Sequence, residues 1–225
     1  MQYTRPMDPR DFVRDLRSEM DRLFSQLGER QTLESESEGK VDVVTLLKLA
    51  LKSEMEASEL AGYWMPTTAE IDVKMAFARQ CGDEMKHYDL ILKRLAELGE
   101  DMSGYDPAQE GYSPLYHYLR GLRTTVERVA AGPFAREAIA EVRNAQFIEF
   151  CRAVGDADTA RLYLEIIHPE EIYHHEMGSQ LLVKYALTDE LQALAANATR
   201  SSLAIADELR TLTEKATGMR SIPVS

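Results

Sequence analysis

Two stretches decide the reading of this chain: Glu84-Met85-Lys86-His87 and Glu171-Ile172-Tyr173-His174. Each is Glu-x-x-His, and each is preceded by a glutamate thirty residues upstream, Glu54 and Glu141. One offset of 87 positions maps all three residues of the first half onto those of the second. On a helix, (i, i+3) spacing sets the carboxylate and the imidazole on one face. In an antiparallel hairpin, two residues sit level when the turn lies midway between them. Those midpoints fall beside Pro66-Thr67-Thr68 and on Gly155-Asp156, which are turn signals in their own right. The six residues then lie deep in a helical bundle, where ionised groups are costly unless paired or bound to metal. Four carboxylates and two imidazoles suit two hard-to-borderline ions, iron or manganese before zinc or copper.

Composition agrees with that frame. The 225 residues are 44% hydrophobic with only 12 Gly and 8 Pro, enough for a sizeable core but poor in the turns of a many-stranded β fold. The fold class expected is all-α. A net charge of −12 argues against a nucleic-acid partner, which would need a basic face. The most apolar run, Val41 to Leu51, contains Asp42 and Lys48 and is too short to span a bilayer, so no membrane partner is expected. The first twenty residues carry alternating charges and no apolar signal core, and Cys81 and Cys151 form no CxxC pair. Both point to a reducing cytoplasm.

Working outward, residues 1–40 read as an amphipathic arm and linker. Asp8-Pro9 starts its helix, and Phe12, Val13, Leu16 and Met20 recur at helical spacing. Residues 41–187 hold the bundle: helices over about 41–64, from the Thr67/Glu70 capping-box spacing to 98, over 114–131, over 134–154 and over 157–187. Gly132-Pro133 is expected to break or kink the chain, and Pro169 to kink the last of these helices or begin a new one. Residues 188–225 supply a fifth helix and tail. Its apolar stripe and that of the arm either cover the bundle or pack on a second copy, and homodimerisation is the expectation.

At its six repeated residues the chain resembles the ferritin-like di-iron carboxylate superfamily. Those bundles take one Glu from each of two helices and Glu-x-x-His from each of the other two. The resemblance implies a ferritin-like antiparallel four-helix bundle with an N-terminal amphipathic helix, an extra helix in the crossover and a C-terminal fifth helix. It implies Glu54, Glu84, His87, Glu141, Glu171 and His174 as ligands of two iron ions, with Mn/Fe or Mn/Mn as variants, and Glu84 and Glu171 as bridges. Asp83-Glu84-Met85-Lys86-His87 is similar to the DExRH motif of di-iron oxidases, with Lys86 for Arg. Asp83 and Glu170, four residues before His87 and His174, are then candidates to orient those imidazoles. His168, one turn before Glu171, is a candidate proton donor.

Rival ligands stay open. Glu56 and Glu59 compete with Glu54, and Glu137 and Glu149 with Glu141, Glu137 most seriously because its midpoint with Glu171 also falls near Gly155; His175 competes with His174. The implied function is activation of O₂ or peroxide by a dinuclear centre, acting as an oxidoreductase on a small organic substrate with an unidentified electron donor. The alternatives are an iron-oxidising storage or detoxification protein, and a metal-free helical interaction module using the same residues for salt bridges.

Overall fold

A computed structural model describes residues 7–28, 42–109 and 111–217. Among these, helices α1 (Pro9–Gly28), α2 (Val43–Trp64), α3 (Ile71–Glu97), α4 (Pro114–Arg120), α5 (Thr125–Val129), α6 (Glu137–Ala153), α7 (Ala157–Leu162), α8 (His168–Tyr185) and α9 (Asp189–Thr217) are joined without a strand. The all-α expectation holds. The polar linker read in residues 28–40 lies almost wholly outside the described residues. No helix among the described residues is long and apolar enough to cross a membrane.

Local chemistry sets most helix ends. Asp42 caps α2 by accepting the Thr45 N–H, and α1 begins at Pro9 after Asp8, as the proline at the first helical position predicts. Gly99 and Gly155 take φ of 92° and 84° and close α3 and the α6–α7 turn. The Thr67/Glu70 capping box does not form. Thr67 closes a 3₁₀ turn, Met65–Thr67, by donating to the Trp64 carbonyl, while Glu70 accepts from the Thr125 hydroxyl. A capping box does form at α5, between Thr124 and Glu127.

Neither expected proline break occurs. Gly132 and Pro133 sit inside a π-helical stretch, Ala130–Arg136, that carries α5 continuously into α6. A second π-helical stretch, Tyr163–Ile167, carries α7 into α8, with the His168 N–H reaching back to the Tyr163 carbonyl just before Pro169. Proline lacks an N–H and crowds the carbonyl one α-turn back. The wider π turn absorbs both defects without ending the helix.

The pairs Trp64–Phe77, Ser58–Cys81 and Glu54–His87 run in opposite order along α2 and α3, so these helices form an antiparallel hairpin. Phe134–His175 and Phe147–Tyr163 do the same for the second hairpin, α6 with α7–α8. Two apolar clusters fill the interior. One holds Trp64, Phe77, Phe134 and Leu182; the other holds Leu47, Leu51, Ile91, Leu95, Tyr163 and Ile167. In sequence, Glu54, Glu84, His87 and Glu171 each fall between a member of one cluster and a member of the other. A buried charged layer therefore lies between two apolar ends. Phe12, Val13, Leu16 and Met20 of α1 and Ala195, Ala198 and Leu203 of α9 belong to the first cluster, so both appended stripes cover this chain's own core.

Candidate metal centre

Six side chains converge in the charged layer, in two overlapping groups. Glu54, Glu84, His87 and Glu171 form one; Glu84, Glu137, Glu171 and His174 form the other. Within each group, one potential donor atom per residue lies within 4.8 Å of every other. All six residues are buried, Glu84, His87, Glu137 and His174 completely. Glu84 and Glu171 belong to both groups, the pair expected to bridge.

Glu137 takes the place expected for Glu141. Glu141 lies outside both groups, half-buried, with Arg17 of α1 and Glu176 of α8 among its charged neighbours. Burial first, then repulsion from Glu137, pushes its carboxyl up to about 7. Residues four apart on a helix differ by only about 40° in direction and about 6 Å in height, so both glutamates fit the midpoint test. The 87-residue offset favoured Glu141 because it presumes identical halves. The π stretch Tyr163–Ile167 in the second hairpin, absent between Ile71 and Glu97, breaks that equivalence. Glu56, the rival to Glu54, accepts from the backbone N–H and hydroxyl of Ser113 and anchors α4. His175, the rival to His174, donates from Nδ1 to the Phe134 carbonyl at 2.6 Å and stacks on that ring. It fastens α8 to the π stretch rather than entering the cluster. His168 also stays out of both groups.

The imidazoles are held from outside, but in crossed fashion. His87 of α3 donates from Nε2 to Glu170 of α8 at 2.8 Å, and His174 of α8 contacts Asp83 of α3 at 3.1 Å. The sequence reading paired each acid with the histidine four residues on in its own helix; the structure pairs each with the histidine of the facing helix. Each acid lies on the face its helix turns toward the other hairpin, where the imidazole of the facing helix meets it. Lys86 bridges to Glu170, and Arg79 pairs with Asp83 while lying over the Tyr173 ring at 3.8 Å.

With Nε2 committed, each imidazole turns Nδ1 inward. His87 Nδ1 lies 3.5 Å from Glu54, 3.4 Å from Glu84 and 3.6 Å from Glu171; His174 Nδ1 lies 3.5 Å from both Glu84 and Glu171. None of these is a well-formed hydrogen bond. His87 Nδ1, His174 Nδ1, Glu84 Oε2, Glu137 Oε2 and Glu171 Oε2 are all buried without a partner. Such orphans are rare in folded proteins, and five in one cluster need an explanation. The other oxygen of Glu137 is well served: it accepts from Gln80 at 2.6 Å and from the Arg136 guanidinium at 3.0 Å. Arg136 also grips the Ser53 carbonyl and hydroxyl. Neither Gln80 nor Arg136 was singled out from the sequence, and the only signal was the position of Arg136 beside Glu137.

Without bound cations, protons must balance this much buried charge. Burial raises the Glu54 carboxyl to about 7, against the pull of His87, and burial with repulsion from Glu84, Glu137 and Glu54 holds Glu171 well above the carboxylate range. Burial would also raise Glu84, but its close contacts with the His174 and His87 imidazoles win and hold it well below the usual carboxylate range. Burial disfavours both imidazolium ions. Contacts to Glu54 and Glu84 nonetheless lift His87 to about 12, and contact to Glu84 lifts His174 to about 9. The cluster holds protons that a metal would displace.

A scan against protein-family models finds no match, and searches of curated proteins and of solved structures find none either.

Proposed function

We propose that the cluster is a dinuclear metal centre, with iron the first choice, in a ferritin-like four-helix arrangement, and that the protein is an oxidoreductase acting through O₂ or peroxide. One observation carries the reading: five unpartnered buried donor atoms on five residues converge, while the far nitrogen of each imidazole is fixed by a carboxylate. That donor set fits two hard-to-borderline cations, and the outer carboxylates do what metal-binding imidazoles require. Glu54 and His87 would serve one ion, Glu137 and His174 the other, with Glu84 and Glu171 shared. A bound pair of this kind supplies reversible electron transfer and Lewis acidity. The chain's own part is to hold its ligands still: Arg136 and Gln80 fix Glu137, Asp83 fixes His174, and Glu170 fixes His87. Apolar clusters on both sides exclude water. An organic substrate, an electron donor and a homodimer remain part of the proposal.

The test is metal content after anaerobic loading with Fe(II) and desalting. About two ions per chain, lost in a Glu84→Ala, His174→Ala double variant, is the expected result. No retained iron, manganese or zinc in a folded wild-type chain would overturn the reading.

A further inference from the structure

Among the described residues, the two most exposed large apolar side chains both belong to α3, Ile71 at 69% and Met75 at 68%. They open a line that continues through Ala78 and Gly82 to Met85, every member exposed. Its steps are four, three, four and three residues, the spacing of a coiled-coil seam. Exposed apolar residues scattered singly need no explanation, but a row of them along one helix does. Gly82 is a second sign. It lies inside α3, where glycine is among the poorest helix formers, and a Cβ there would meet nothing within 4 Å. No contact among the described residues calls for a glycine, whereas a second helix laid closely across it would. Charge points to the occupant. From Ile71 to Asp89, leaving aside the buried Glu84 and His87, Asp72, Asp83 and Asp89 balance Lys74, Arg79 and Lys86. The face is neutral on a chain of net charge −12, so a second copy meets there none of the repulsion that the net charge exerts elsewhere.

We propose that α3 pairs with α3 of a second copy, antiparallel about a two-fold axis between Ala78 and Gly82. A two-fold contact is self-complementary, so whatever one copy offers the other returns. In this register Ala78 faces Gly82 of the second copy and Met75 faces its Met85. Asp72 comes within reach of Lys86 of the second copy, each already tied within its own chain to Lys184 or Glu170. Arg79 approaches its own copy near the axis, where Asp83 neutralises it. The small residues at the centre let the two backbones approach, and the larger ones at either side close over them. The inference gives the homodimer of the proposed function its surface and rests on that part of the reading; it does not need the metal centre.

Sedimentation equilibrium of the full, metal-free chain tests it. The wild type should assemble into dimers over the micromolar range. Met75→Glu, or Ile71→Glu should the first variant fail to fold, should be monomeric with unchanged helical content. Gly82→Ala separates the interface from the fold. Placed in the monomeric Met75→Glu chain, it should leave the melting temperature unchanged or raised, because the added methyl meets open space. Placed in the wild type, it should weaken the dimer by about tenfold or more, because the same methyl now stands between two helices. Chains carrying Ala78→Cys should cross-link to chains carrying Gly82→Cys faster than either links to itself. A monomeric wild type would overturn the proposal and leave the face to a different protein. A dimer that persists in folded Met75→Glu protein, or that is indifferent to Gly82→Ala, would overturn it by placing the contact elsewhere, and faster self-linking would overturn the register. Iron stoichiometry is measured separately. Its failure would sink the metal centre and leave the dimer standing, whereas a monomer that loads two irons would do the reverse.

Discussion

Glu137 and Glu141 are the sharpest contrast at the scale of single residues. Both are helical glutamates on one side of α6, yet one meets three other donors and the other lies among the charges of α1 and α8. Glu137→Ala should therefore cut iron loading to about one ion per chain or less, while Glu141→Ala should load fully; metal analysis after desalting decides it. The crossed carboxylates make a second prediction. Asp83→Asn and Glu170→Gln should each weaken metal binding by about 10–100-fold while leaving the helical content unchanged, as measured by competition with a chromophoric chelator. Much of this was legible in sequence. The Glu-x-x-His pairs and Glu54 could be read because their chemistry and spacing are local. The choice between residues one turn apart could not, because helical periodicity gives both the same face. The partner of each imidazole was hidden for a related reason: contacts between facing helices leave no spacing signature.

Among the elements, the two π-helical stretches matter most. Ala130–Arg136 ends one residue before Glu137 and packs chiefly against α8 and α9. A Cβ on Gly178 would come within 2.6 Å of the Phe134 nitrogen and 2.7 Å of the Pro133 carbonyl carbon, both backbone atoms that cannot swing aside. Gly178→Ala should thus destabilise the protein by roughly 1–3 kcal/mol, seen as a lowered denaturant midpoint, and should also reduce metal loading because Glu137 moves with the stretch. Gly132→Ala meets the Trp64 ring instead, at 2.7 Å, and should shift the fluorescence of the lone tryptophan. Sequence marked both places through Gly132-Pro133 and Pro169 but offered only a break or a kink. Whether a helix stops at a proline or widens around it depends on what grips the far side. Here His175 holds the Phe134 carbonyl from 41 residues further along the chain, beyond the reach of any local pattern.

For the whole molecule, protonation is the observable. In metal-free protein, the folded state keeps a proton on His174 up to about 9, while the unfolded chain loses it near the ordinary histidine value of 6.5. The stability this proton contributes is complete below about 6.5 and is lost as pH rises toward 9. Glu54 and Glu141, raised to about 7 from 4.5, have largely made their loss by neutrality, whereas His87, lifted to about 12, adds to the fall throughout this window and beyond it. His168 and His175, both depressed by burial, act only below about 6.5. Between pH 7 and 9 the metal-free melting temperature should therefore fall, on the order of 5 °C. The metal-loaded protein, whose ligands have already shed their protons, should show no such slope, and loading itself should release protons into a weakly buffered solution. A flat metal-free profile over that range would contradict this account of the cluster. The all-α class and the two hairpins followed from composition, periodicity and turn signals. The use of the α1 and α9 stripes to cover this chain's own first cluster did not, because an amphipathic face does not say which apolar surface it will meet.

The crossing of Asp83 and Glu170 has one more outcome. Each imidazole is steadied by the opposite hairpin, and two of the carboxylates are common to both groups. Seating a first cation would fix shared oxygens that the second also needs, so the ordering cost falls mainly on the first. Filling should then be cooperative. At half-saturating metal, the population should divide into empty and doubly filled chains, with singly filled ones scarce, which native mass spectrometry can count. A sequence that reads as two copies of one motif would behave, toward its metal, as a single indivisible device.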